Sequence, residues 1–121
     1  MKESIVAKRA LQFALAVIRA TKLLSQTYEN IIIIKQIIRS VTSIGANIQE
    51  ALGTNSRKDF AHCMNVAKKE ARETRYWLEL LLELNPKNTL LIEGLLTESI
   101  EIVNILTKIV KTANSPKLLI T

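Results

Sequence analysis

Apolar residues recur along this chain in three- and four-residue steps, and four separate stretches keep that period long enough to predict helices. The first covers residues 4–25, where Ile5, Leu11, Leu15, Ile18 and Leu23 form the expected buried stripe with no Gly or Pro among them. After a polar break at Ser25 to Asn30, a second stretch from about Ile31 to Leu52 repeats the pattern with Ile34, Ile37, Ile38, Val41, Ile44, Ile48 and Leu52. Its opening run IIIIKQII has strand propensity, because β-branched side chains are stiff. Five turns of helical spacing outweigh that preference.

The joints carry their own chemistry. In GTNS, residues 53–56, Gly53 suits a left-handed helix end and Ser56 suits the cap of the next helix, with Asp59 three residues on. The third stretch then runs to Leu84, with Phe60, Met64, Ala67, Ala71, Thr74, Leu78 and Leu81 as its core stripe. Pro86 in NPKN disfavours helical geometry at Asn85, and Asn88 can start a fourth helix carrying Leu91, Leu95, Ile102, Leu106 and Ile109. That helix is expected to end before Ser115-Pro116. Four helices with short joints pack most simply as an antiparallel up-down-up-down four-helix bundle, so the fold class is all-α. Residues 1–114 are expected to form one domain, with 115–121 as a tail. Composition agrees: 48% of residues are apolar but only 4% aromatic, and the chain has 3 Gly and 2 Pro.

Charge sharpens the picture. The formal net charge is +6, which suits a polyanionic partner without defining a site. Lys8, Arg19 and Lys22 share one face of the first helix, and Arg57, Lys58, Lys68, Lys69, Arg72 and Arg75 fall within an arc of roughly 120° on the third. These nine are the candidate phosphate contacts. The alternative is a solvated basic face, which Glu79 and Glu83 favour by continuing the third-helix arc with opposite charge. Cys63 is the only cysteine, so no internal disulfide can form and a cytoplasmic location is the expectation. The apolar run near the N-terminus, residues 10–18, is interrupted by Gln12 and stopped by Arg19. It falls short of the ~20 residues a membrane span needs, so no membrane partner is expected.

The third helix also has a second apolar stripe. Val66, Trp77, Leu80 and Leu84 run beside the core stripe, interrupted by Glu70 and Glu73. A bundle helix needs one apolar face, so this stripe predicts an interface between subunits; the alternative is a wide core stripe in a monomer. On the second helix, Ile32, Arg39, Ser43, Ala46 and Glu50 oppose the core with Gln36 and Asn47 at the edge; the small residues at 43, 45 and 46 would let another backbone approach, the alternative being a solvated polar face. Arg39, Ser43, Asn47 and Glu50 make, with Glu70 and Glu73, a candidate structural polar network, in which an Arg–carboxylate pair has the most favourable geometry.

SVTSIGANIQEA at 40–51, SRKDF at 56–60 and KKEARETRYWLELL at 68–81 together resemble the four-helix bundle family that includes the proteins encoded in 23S ribosomal RNA intervening sequences. The family's recurrent positions fall here on Arg39, Ser40, Ser43, Ile44, Ala46, Asn47, Glu50 and Ala51, on Ser56, Asp59 and Phe60, and on Lys69, Glu70, Ala71, Glu73, Thr74, Tyr76, Trp77 and Leu78. Val41 and Gln49 depart from it, standing where a small and an acidic residue are commoner. The resemblance implies four antiparallel helices assembling as a homo-oligomeric ring, commonly a pentamer. The chain is also similar, more distantly, to the accessory protein of diversity-generating retroelements, a basic pentameric bundle that engages a reverse transcriptase and nucleic acid.

Enzyme signatures are weak. Asp59, His62 and Cys63 could suggest a metal site, but His62 and Cys63 point about 100° apart on a helix and no further His or Cys completes a zinc shell. No Ser sits in a G-x-S-x-G elbow, and Gly45 and Gly53 lack the G-K-[ST] ending of a phosphate loop. Glu70 and Glu73 could form a carboxylate pair for Mg²⁺, although available arginines favour ion pairing. No cofactor or metal is therefore expected. The functional expectation is a non-enzymatic, homo-oligomeric bundle that binds RNA or DNA through its basic helices. The alternative is an adaptor that docks a partner enzyme, such as a reverse transcriptase, without touching nucleic acid.

Overall fold

The computed structural model describes residues 4–115. They form four helices: α1 (Ile5–Thr21), α2 (Tyr28–Leu52), α3 (Arg57–Leu84) and α4 (Thr89–Ala113). No strand occurs among the described residues, and the isoleucine run lies wholly within α2. The predicted tail, apart from Ser115, lies outside the described residues.

Three helices begin on hydroxyl caps. Ser4 accepts from the Ala7 N–H at 3.2 Å, Thr27 from the Asn30 N–H at 3.2 Å, and Ser56 from the Asp59 N–H at 3.0 Å. Each satisfies one otherwise orphaned donor, a contribution of about 1 kcal/mol. Gly53 does not do what its identity suggested. Its φ is −93°, not left-handed, because Thr54 closes α2 instead: its backbone N–H and its hydroxyl both donate to the Ala51 carbonyl, at 3.2 and 2.7 Å. At the α3–α4 joint, Pro86–Asn88 form a single 3-10 turn, and Asn88 precedes α4 without a side-chain capping bond.

Each helix packs against two others. The neighbours are α1 with α2, α2 with α3, α3 with α4 and α4 with α1, while α1 and α3 lie diagonally apart. The α2–α3 pair is antiparallel, since Asn30 meets Asn85 near one end and Ser40 meets Thr74 near the middle. Arg57 reaches the Ala113 carbonyl, which sets the start of α3 beside the end of α4. Contact is densest between α2 and α3 and between α3 and α4, so α1 is the most lightly held helix.

The core of α3 follows its predicted stripe: Met64, Ala67, Ala71, Thr74, Leu78 and Leu81 are buried, with Phe60 partly so. On α1 the prediction chose the wrong face. The buried residues are Val6, Ala10, Phe13, Val17, Ala20 and Leu24, whereas Ile5, Leu11, Leu15 and Leu23 are exposed. Apart from Phe13, and Leu24 just beyond the helix, this stripe consists of valines and alanines, and the larger aliphatics sit to either side of it. On α2 the core is Ile33, Ile37, Val41, Ile44, Ile48 and Ala51, and the expected Ile38 and Leu52 are exposed. On α4, Ile102 and Leu106 are buried as expected, joined by Ile92, Ser99 and Val110. Leu91, Leu95 and Ile109 only flank that core.

Two buried polar contacts tie the helices together. Asn30 and Asn85 exchange side-chain amide bonds at 2.8 and 2.9 Å, and their amides also reach the Ser25 and Leu81 carbonyls. Thr74 donates to Ser40 at 2.7 Å in the fully buried α2–α3 seam. Because an unpaired buried amide or hydroxyl costs about 1–3 kcal/mol, both contacts disfavour any slip of α2 along α3.

Candidate nucleic-acid interface and assembly surfaces

The polar network forms around Arg39, but with fewer members than predicted. Its guanidinium lies 3.4 Å from Glu70, donates to Glu73, and touches Gln36 at 3.5 Å. Glu73 also accepts from the Trp77 indole N–H at 3.2 Å. One carboxylate therefore joins α2 to α3 and fixes the tryptophan. The hydrogen bond to Glu73, followed by the attraction of both glutamates, raises the Arg39 pKa against the opposing effect of burial. Ser43 and Asn47 do not join this network. Each bonds its own helix, Ser43 to the Arg39 carbonyl and Asn47 to the Ser43 carbonyl, both at 2.8 Å. The Glu50 side chain is exposed, and its carboxylate makes no bond among the described residues. The antiparallel register explains Glu50: with Asn30 opposite Asn85 and Ser40 opposite Thr74, position 50 falls well before Glu70 and Glu73 on α3.

Three arginines outside this network are also committed to the fold. Arg9 forms a two-pronged pair with Glu98 at 2.7 and 2.9 Å and lies 3.8 Å from Glu101, joining α1 to α4. The hydrogen bond to Glu98 raises its pKa. Arg57 donates to the Ala113 carbonyl at 2.8 Å and to that of Ser115, so one helix's first residue closes another's last turn. Arg75 lies 3.4 Å from Glu79 one turn on, and its Nε makes no hydrogen bond there. Arg9 and the Asn30–Asn85 pair were absent from the sequence reading. Neither has a local signal, since the partners lie 89 and 55 residues away.

Of the nine predicted phosphate contacts, Arg57 and Arg75 are thus engaged within the fold. Lys58, Lys68, Lys69 and Arg72 carry no ion pair among the described residues, with Lys68 half-buried and the others exposed. Lys108 of α4 joins their side of the bundle: with Arg57 and Phe60 it lines a cavity of about 390 Å³ between α3 and α4. Lys8, Arg19 and Lys22 are exposed and unpaired too. They belong to a separate patch, because α1 does not touch α3.

Two apolar surfaces remain uncovered. Between α1 and α2 runs a groove of about 870 Å³. Ala10, Ala14 and Gly45 help form its floor, Leu11, Leu15, Ile18 and Leu52 its walls, and Lys8 part of its rim. Gly45 is not tightly packed there, since an added Cβ would lie 3.9 Å from the Ala10 Cβ, ordinary contact distance. The second surface is the predicted interface stripe. Val66, Trp77 and Leu80 are partly buried and Leu84 is exposed. Tyr76 packs edge-on against Trp77 with ring centroids 5.3 Å apart. The α2–α3 register sets exposed Ile32 level with Leu80 and Leu84, extending this ridge onto α2.

No group of three metal-ligating side chains occurs among the described residues, and Cys63 packs against the core. By length and composition α2 could cross a membrane, but a third of its most apolar window is buried inside the bundle.

These features define a small all-α bundle protein whose α2–α3 pair is fastened by polar contacts. The chain belongs to the 23S rRNA-intervening sequence protein family, whose model matches residues 2–108. It is similar to a crystal structure of a protein of unknown function from the S23 ribosomal protein family of Bacteroides thetaiotaomicron. The two share 41% identity over 88% of this chain and 99% of that one, with a TM-score of 0.80. No curated protein matches.

Proposed function

We propose that this protein is a non-enzymatic, homo-oligomeric bundle, a ring of several copies, that holds RNA or DNA by its phosphate backbone. The observation that carries the reading is the division of its cations. Arg9, Arg39 and Arg57 are used between helices and Arg75 pairs within α3, while Lys58, Lys68, Lys69 and Arg72 have no ion pair among the described residues along α3. Unpaired cations on one helix can neutralise phosphates and release counterions without reading bases. Repetition around a ring multiplies a modest attraction per copy.

Fluorescence anisotropy with structured RNA and with duplex DNA, at 50 and 200 mM salt, tests this. Four phosphate contacts predict an affinity loss of roughly 100-fold over that range. The double substitution Lys69→Glu with Arg72→Glu should abolish binding without unfolding the chain. Absent or salt-insensitive binding overturns the reading and favours the adaptor that docks a partner enzyme.

A further inference from the structure

We infer that the α1–α2 groove is the seat of a second copy of this chain, which inserts the ridge formed by α2 and α3, so that copies join head to tail. This rests on the assembly part of the proposed function and specifies which faces meet. The occupant is argued from charge. Helix α1 carries Lys8, Arg9 and Arg19 and no acidic residue, and only Arg9 is paired. Lys8 lines the groove, and Arg19 and Lys22, at the same helical angle, extend its face of α1; none of the three has an ion pair among the described residues. At the Tyr28–Leu84 end of the ridge, Glu29 and Glu83 are exposed carboxylates without an ion-pair partner, Lys87 being the one cation on the adjoining joint. The concave surface is basic and apolar, and the ridge end is acidic and apolar.

Neither face suits itself. Two grooves brought together would oppose their cations across a hollow, and like charges across an interface cost several kcal/mol. A contact between two different faces of the same chain is heterologous, and such contacts build closed rings when the rotation between copies closes. The groove runs from Ser4 to Ile18 along α1, about 20 Å of helix. That length takes several turns of a neighbouring helix, as an interface above roughly 1,000 Å² requires.

The test uses two single variants of the full chain, Leu11→Glu in the groove and Leu84→Glu on the ridge. Both positions are exposed, at 61% and 45%, so each variant should fold, which circular dichroism checks. Wild type should sediment as a multimer and each variant alone as a monomer. Mixed in equal amounts, they should give a dimer and nothing larger, because only one intact groove then meets one intact ridge. If wild type is multimeric and either variant keeps its mass, the copies meet elsewhere: this inference falls and the ring survives. A mixture that stays monomeric also overturns it. A monomeric wild type removes both ideas, and one that co-sediments with anionic vesicles through Leu11 makes lipid the occupant.

Discussion

At the scale of single residues, the clearest dependence is on the buried amide pair. Asn30→Ala leaves the Asn85 amide without its reciprocal partner in a buried position. We expect a loss of about 1–3 kcal/mol in urea unfolding. The double variant Asn30→Ala with Asn85→Ala should lose less than the two single losses added, because the second change removes the stranded group. Gly94 gives the opposite sign. It sits in the second turn of α4 with nothing within 4 Å of an added Cβ. Gly94→Ala should therefore stabilise the fold by up to about 1 kcal/mol through helix propensity alone, seen as a rise in melting temperature. Arg39→Ala should cost no more than about 1 kcal/mol in a monomer, since Arg39 is half exposed there. If the ridge is covered in an assembly, the same change should lower the multimer's mass in light scattering by far more than that figure suggests.

At the scale of elements, α1 is the helix to watch. It touches its neighbours least, and Arg9 is its one ion-pair link to α4. Arg9→Ala should speed amide hydrogen exchange across α1 while leaving α2 and α3 protected. This helix also shows where sequence reading succeeds and fails. On α3 the buried residues Met64, Ala67, Ala71, Thr74, Leu78 and Leu81 keep one uninterrupted helical stripe, so periodicity found them although Trp77 and Tyr76 are larger. On α1 the core positions Val6, Ala10, Phe13, Val17, Ala20 and Leu24 keep a strict alternation of four and three, yet larger residues at Leu11, Leu15 and Leu23 drew the prediction to the wrong side. The error carries information: a helix more apolar than its own core requires has a second surface to cover. Of the hydroxyl caps only Ser56 was read in advance; α2 starts at Tyr28 on Thr27, earlier than the expected Ile31, and Gly53 was misread because the threonine after it supplied the cap.

At the scale of the whole molecule, composition announced a basic, all-α protein, but not which charges are free. That distinction needs tertiary structure, because the pairs on Arg9 and Arg39 and the carbonyls held by Arg57 come from segments 31 to 89 residues away. The Arg39 centre was foreseen because Glu70 and Glu73 repeat on one face of α3, a pattern visible along a single helix. Pairs between helices that share no such pattern were not visible.

The amide clasp between Asn30 and Asn85 bears on how the chain is made. Synthesis delivers the N-terminal part first. When Asn85 leaves the ribosome, every group in the clasp is already outside, including the Ser25 and Leu81 carbonyls, while α4, which follows it in the chain, has yet to emerge. The clasp can thus latch α2 against α3 in register before the last helix arrives, and α4 then docks onto a hairpin already set. Its own end is closed last, when Ala113 and Ser115 come within reach of an arginine made more than fifty residues earlier.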